Sequence, residues 1–192
     1  MEYIIRRMEK SDCRIVANIV TISWNETYKG IVSKDFLEGL YNNEEMRIQS
    51  LIDNFDDDCK HQFVLEVNDK VVGFINVGSC DNNEFNNYGE VYAIYLINEY
   101  KGNGYGRVLW NAGVKELRLM GFDKFVVGCL ENNPTNDFYR HLGGKFIKKR
   151  FFEKLNLFEN LYVFSDLEDN SVFNDNIGTI ISEVNRGNIK KY

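Results

Sequence analysis

No stretch of this 192-residue chain approaches the roughly 18 to 20 consecutive apolar residues that span a bilayer, and residues 1–7 lack the apolar core of a secretion signal. The sequence therefore reads as a cytoplasmic protein with no membrane partner. No Cys-x-x-Cys pair occurs. Cys13, Cys59, Cys80 and Cys129 are scattered, which argues against a zinc knuckle and a disulfide framework and predicts free, mostly buried thiols. Basic residues are outnumbered, 23 against 29 acidic, for a formal charge of −6. The basic surface on which nonspecific nucleic-acid binding depends is missing, and a small cationic ligand suits this field better. The acidic run at 53–58 lacks the glycine spacing and final glutamate of an EF-hand loop, so no metal is expected.

What is present is enough for one core: 44% of residues are hydrophobic and 14% aromatic, and the length gives a prior of about one domain. No internal repeat or long linker divides it. A strand at 3–8 precedes a helix capped by Ser11 or Asp12, with Ile15, Val16, Ile19, Val20 and Trp24 at helical spacing and Gly30 as its stop. Ser33 is the cap of a second helix, and a third runs from about 43 to 55. Runs at 63–67 and 71–77 flank Asn68-Asp69, residues that tolerate the positive φ of a hairpin turn. His61 falls in a loop beside the acidic run. A strand at 90–96, a helix at 104–120, a short strand at 124–129, a helix at 134–142 begun by Pro134, and strands near 145–153 and 160–165 follow.

The glycines of Tyr100-Lys101-Gly102-Asn103-Gly104-Tyr105-Gly106-Arg107 lie between a strand and an amphipathic helix. Glycine lets a backbone turn sharply and approach an anion, and the free N–H groups of a helix start favour negative charge. This is the layout of a phosphate cradle. Two known cradles are excluded by spacing: the P-loop requires Gly-x-x-x-x-Gly-Lys-Ser/Thr, and the dinucleotide fold requires Gly-x-Gly-x-x-Gly near a first strand. Here the spacing is Gly-x-Gly-x-Gly, after about four strands.

Residues 101–106 resemble the Arg/Gln-x-x-Gly-x-Gly/Ala signature of the GNAT superfamily of N-acetyltransferases. Asn133-Pro134-Thr135-Asn136-Asp137-Phe138-Tyr139-Arg140-His141-Leu142-Gly143-Gly144 is similar to that family's Asn-Pro-x-x-x-Phe-Tyr-x-x-Leu-Gly-Gly segment, and residues 24–31 resemble the first-helix signature of a bacterial branch with small acceptors. Lys101 departs from the pattern, keeping the charge without the planar fork. The resemblance implies an α/β fold over residues 1–168, with a central mixed six- or seven-stranded sheet flanked by about four helices. Residues 169–192 would be a C-terminal extension with room for one short helix.

The resemblance further implies acetyl-coenzyme A as donor, lying across a gap between two splayed parallel strands at 90–96 and 124–129. Leu96 and Asn98 would pair with its pantetheine arm, Lys101, Gly102, Asn103, Gly104, Tyr105 and Gly106 would hold the pyrophosphate, and Asn133 would contact the arm. An acceptor ammonium, with a reference pKa of about 10, must lose a proton before attack. By the resemblance Glu90 is that base and Tyr139 the donor to the leaving thiolate, while Trp24 and Tyr28 border the acceptor pocket. Lys148, Lys149 and Arg150 fit either an adenosine 3′-phosphate contact or a plain hairpin surface, and His141 a helix C-terminus. The implied activity is direct acetyl transfer to the primary amine of a small molecule, by a monomer or homodimer. Two alternatives stand beside it: a noncatalytic acyl-coenzyme A sensor, and an acetyltransferase acting on a protein N-terminus or lysine.

Overall fold

The computed structural model describes residues 2–56 and 59–165; the expected extension at 169–192 lies outside them. Seven strands form one mixed sheet: β1 (Tyr3–Arg7), β2 (Lys60–Val67), β3 (Lys70–Ser79), β4 (Gly89–Leu96), β5 (Phe125–Leu130), β6 (Lys145–Phe152) and β7 (Leu157–Phe164). Their order is β1-β2-β3-β4-β5-β7-β6. Every neighbouring pair is antiparallel except β4 with β5. The described α-helices are α1 (Cys13–Thr27), α2 (Lys34–Asn42), α3 (Glu44–Asp53), α4 (Tyr105–Leu119) and α5 (Asn136–His141).

Local chemistry sets most boundaries. Asn68 and Asp69 take φ of 51° and 62°, the double positive turn that matches strand twist, and so join β2 to β3. The Ser33 hydroxyl accepts from the Phe36 N–H at 3.3 Å and starts α2. Gly121, at φ 91°, ends α4.

Three expectations are corrected. Neither Ser11 nor Asp12 caps α1 with its side chain; the Asp12 carboxylate accepts from the Glu9 N–H at 2.7 Å and two Arg6 nitrogens at 2.6 and 2.9 Å, which ties the short turn before α1 back to β1. The helix after Pro134 begins only at Asn136, because Pro134 lies in the preceding turn, where its carbonyl accepts from the Asp137 N–H. His61 is not in a loop. It stands on β2 with its ring against the buried Glu116 carboxylate of α4, which also holds Arg7 at 2.6 Å.

Strand alternation divides the core between two faces. Leu65, Ile75, Val77 and Val91 pack under α4 with Leu109, Trp110 and Leu117. Val64 and Phe74 turn to the opposite face, against Val16 and Ile19 of α1. Trp110 is the centre of an aromatic cluster, its ring 4.8 Å from Phe164, 5.7 Å from Phe125 and 5.7 Å from Tyr139.

Candidate active site

The one parallel pair in the sheet is short: only Gly89 with Phe125, Glu90 with Val126 and Val91 with Val127 are in register. Tyr92 then enters β4 as a bulge, since Val77 pairs with Val91 and Asn76 already with Ala93. A bulge bends its strand and increases local twist. Beyond it β4 and β5 diverge, and a cleft of about 890 Å³ opens between them. It runs from the glycine loop, past Leu96, Asn98 and Tyr139, to Glu90 and β7.

At one end lies the helix start. Gly102 and Gly104 have φ of 78° and 82°, and a Cβ on either would meet nothing within 4 Å. Glycine is required there for its backbone, not for space. The first carbonyl-bonded N–H groups of α4 are those of Arg107 and Val108, both on the Gly104 carbonyl at 3.0 and 3.2 Å. Among the described residues, no backbone carbonyl accepts from the N–H groups of residues 102–106. Such a run of donors at the start of a 15-residue helix has the geometry and the dipole that favour an anion. Lys101, Gly102, Gly104 and Gly106 line the cleft. Asn103 and Tyr105 turn their side chains elsewhere: Asn103 donates to the Tyr100 and Lys101 carbonyls at 3.4 and 3.1 Å, and Tyr105 is buried against Tyr3 at 5.6 Å. Only their backbone remains for a ligand. The Lys101 ammonium is held below its usual range by partial burial, which Glu26 opposes.

Glu90 lies half-buried at the other end, two residues before the bulge. Burial raises its pKa above the ordinary carboxylate value, and Asp81 and Glu159 add to the shift; the Cys80 thiol, donating to it, and Arg150 oppose it. Its own burial, with a smaller part from the contact with Glu90, pushes Cys80 up to about 11. Tyr139 of α5 is 5% exposed, yet it lines the cleft, and among the described residues nothing is hydrogen-bonded to its hydroxyl. Burial holds this phenol well above its ordinary pKa, so it stays protonated.

Trp24 and Tyr28 form a wall of the cleft, their rings 4.5 Å apart. Trp24 Nε1 donates to the Tyr95 hydroxyl at 2.8 Å, and Asn133 Nδ2 donates to the Tyr28 hydroxyl at 2.7 Å. These bonds fix both aromatics and also tie Asn133 to this wall of the cleft. His141 is not in this site; it is exposed, with its Nδ1 2.6 Å from the Asp137 carbonyl. Lys148, Lys149 and Arg150 are each engaged by a carboxylate, of Glu84, Glu131 and Glu159 respectively.

Two cleft groups escaped the sequence reading. Tyr95 is one. The other is Glu159 on β7, 8% exposed, which crosses the sheet to lie over Gly128. A Cβ on Gly128 would stand 2.5 Å from Glu159 Oε2, so a side chain on β5 there would displace the carboxylate. The signal was a polar pair, Glu159-Asn160, interrupting an otherwise apolar strand.

The family model described as Acetyltransferase (GNAT) family matches residues 16–143. The chain belongs to the GNAT family of N-acetyltransferases. It is 28% identical over 155 residues to the uncharacterized N-acetyltransferase YuaI of Bacillus subtilis, covering 78% of this chain and 84% of that one. The fold is similar to that of PaiA N-acetyltransferase from Thermoplasma acidophilum, solved in complex with coenzyme A, with TM-score 0.69 and 18% identity over 86% of this chain and 99% of that one. It is also similar to mutant forms of the spermidine/spermine N-acetyltransferase SpeG from Vibrio cholerae, with TM-score 0.59 and 18% identity over 85% and 93% of the two chains. Among the described residues no helix is long and apolar enough to cross a membrane.

Proposed function

We propose that the protein transfers acetyl from acetyl-coenzyme A to the primary amine of a small molecule by direct attack. The observation that carries this reading is a single cleft joining the donor-rich start of α4 to Glu90 and Tyr139. The residues fit a pyrophosphate-bearing ligand: N–H groups without carbonyl partners, two glycines in left-handed backbone and open space beside them. Residues 102–106 would hold the pyrophosphate. The edge of β4 between the bulge and Leu96, with Asn98, would pair with the amide-bearing arm, and Asn133 keeps a second Nδ2 hydrogen for it.

The bound donor supplies an acetyl group activated as a thioester. Glu90 takes the proton of the acceptor ammonium, directly or through water, and its raised pKa brings it closer to the working pH of a base. Tyr139, protonated and without a protein partner among the described residues, donates to the departing sulfur. Trp24 and Tyr28 shape the acceptor side. The neighbour named as a spermidine/spermine acetyltransferase and the carboxylates at this end of the cleft support a cationic small amine.

The test is coenzyme A thiol release over a panel of amines, amino acids and peptides. Release only with peptides would replace the small acceptor by a protein, and bound coenzyme A without release by any amine would remove the reading. Tyr139→Phe deletes only a hydroxyl, so it is expected to lower kcat by about 10²-fold while the unfolding midpoint hardly moves; full activity would end its assignment as donor. Gly104→Val forces a branched residue into left-handed backbone. Calorimetry is expected to show coenzyme A binding weakened about tenfold or more, and unchanged affinity would refute the cradle.

A further inference from the structure

Glu159 has a feature that its salt bridge does not explain. One carboxylate oxygen, Oε1, is engaged by Arg150 Nε. Among the described residues no donor reaches the other, Oε2, although the side chain is only 10% exposed and lines the cleft. A carboxylate oxygen without a protein donor at the wall of a cleft is open to a hydrogen bond from a cationic ligand. Oε2 lies over Gly128, in the space that a side chain there would take, on the wall of the cleft that Glu159 lines. Arg150, by contrast, sits on the edge strand β6 and is 34% exposed.

The surroundings define what would fill the place. Glu90 and Glu159 set two carboxylates against the one guanidinium of Arg150 at this end of the cleft. Glu159 is near enough to raise the pKa of Glu90, Cys129 and Tyr28. The wall beside them is apolar, formed by Tyr28, Leu130, Phe152 and Leu155. A ligand matching this lining has two cationic nitrogens separated by an aliphatic spacer.

We propose that Glu159 is a specificity-determining residue for the acceptor, accepting through Oε2 from a second ammonium of a diamine whose first nitrogen is presented to Glu90. Arg150 holds the carboxylate in place through Oε1 and competes with the ligand for its charge. This rests on the acyl-transfer reading only for its kinetic readout, since diamine binding is measurable without turnover.

The experiment compares a graded series of α,ω-diaminoalkanes, each against the n-alkylamine of equal length, by calorimetry on the coenzyme A-loaded protein and by kcat/KM. The wild type is expected to prefer diamines by about 10- to 100-fold, the value of one hydrogen bond to a charged group. Glu159→Gln is expected to collapse that preference through KM rather than kcat. Arg150→Gln, which removes the competitor and keeps Glu159, is expected to increase it, and this opposite sign tests the idea even if Glu159→Gln folds poorly. No diamine preference in the wild type, a preference unchanged in Glu159→Gln, or one lost in Arg150→Gln would overturn the proposal; the last would point to an acceptor carboxylate on Arg150. If diamines bind preferentially but no amine is acetylated, the subsite stands and the acyl-transfer reading falls. If monoamines are acetylated as well as diamines, the reading stands and the subsite falls.

Discussion

Glu90→Gln is expected to lower kcat/KM for amine acetylation by about 10²- to 10⁴-fold, the range a positioned base contributes, while coenzyme A affinity is unchanged. The pH profile separates this from a general disturbance. Only the ionised carboxylate accepts a proton, and burial raises its pKa. In the wild type the acid limb of kcat/KM should therefore lie above the ordinary glutamate value of about 4.3, and in the variant it should vanish. Stability should move the other way. A carboxyl whose folded pKa exceeds its unfolded one favours folding at low pH, and loses that contribution as pH rises through the folded pKa. At neutral pH the neutral glutamine is thus expected to unfold at a temperature no lower than that of the wild type. An equal acid limb in wild type and variant would remove Glu90 from the mechanism.

Trp110→Ala is expected to destabilise the protein by about 3 to 5 kcal/mol, read as a lower denaturant midpoint with unchanged slope. The indole is 4% exposed and packs on rings from three further elements: Phe125 of β5, Tyr139 of α5 and Phe164 of β7. Removing it leaves a cavity that these rigid rings cannot collapse to fill. Because one of its neighbours is Tyr139, turnover should fall as well, even well below the unfolding temperature. A loss under about 1 kcal/mol would mean that this cluster is not what joins α4 and α5 to the sheet.

The features legible in the sequence were those set by adjacent residues. Asn68-Asp69 declares its turn because both residues tolerate positive φ, and Ser33 declares a helix start because its hydroxyl reaches a backbone only three residues away. The glycine loop is legible for the same reason, through Gly102 and Gly104. Contacts made by topology were not. His61 reads as a loop residue until β2 places it on Glu116, 55 positions away. Asn103 and Tyr105 share the loop's sequence signal, but their side chains satisfy nearby carbonyls and the core instead. Glu159 comes to the cleft because β7 lies beside β5, out of chain order. The Tyr92 bulge depends on register, which no local pattern encodes.

The brevity of the parallel pairing has a mechanical consequence. With three residue pairs in register, β4 and β5 join a half-sheet of strands one to four to a half-sheet of strands five to seven by little more than a hinge of backbone. The chain crosses between the halves through α4, so the helix that begins at the glycine loop is also the covalent strut spanning the seam. A ligand gripped by that loop and lying in the seam would act as a splint, and its binding energy would be shared with the cooperativity of the whole domain.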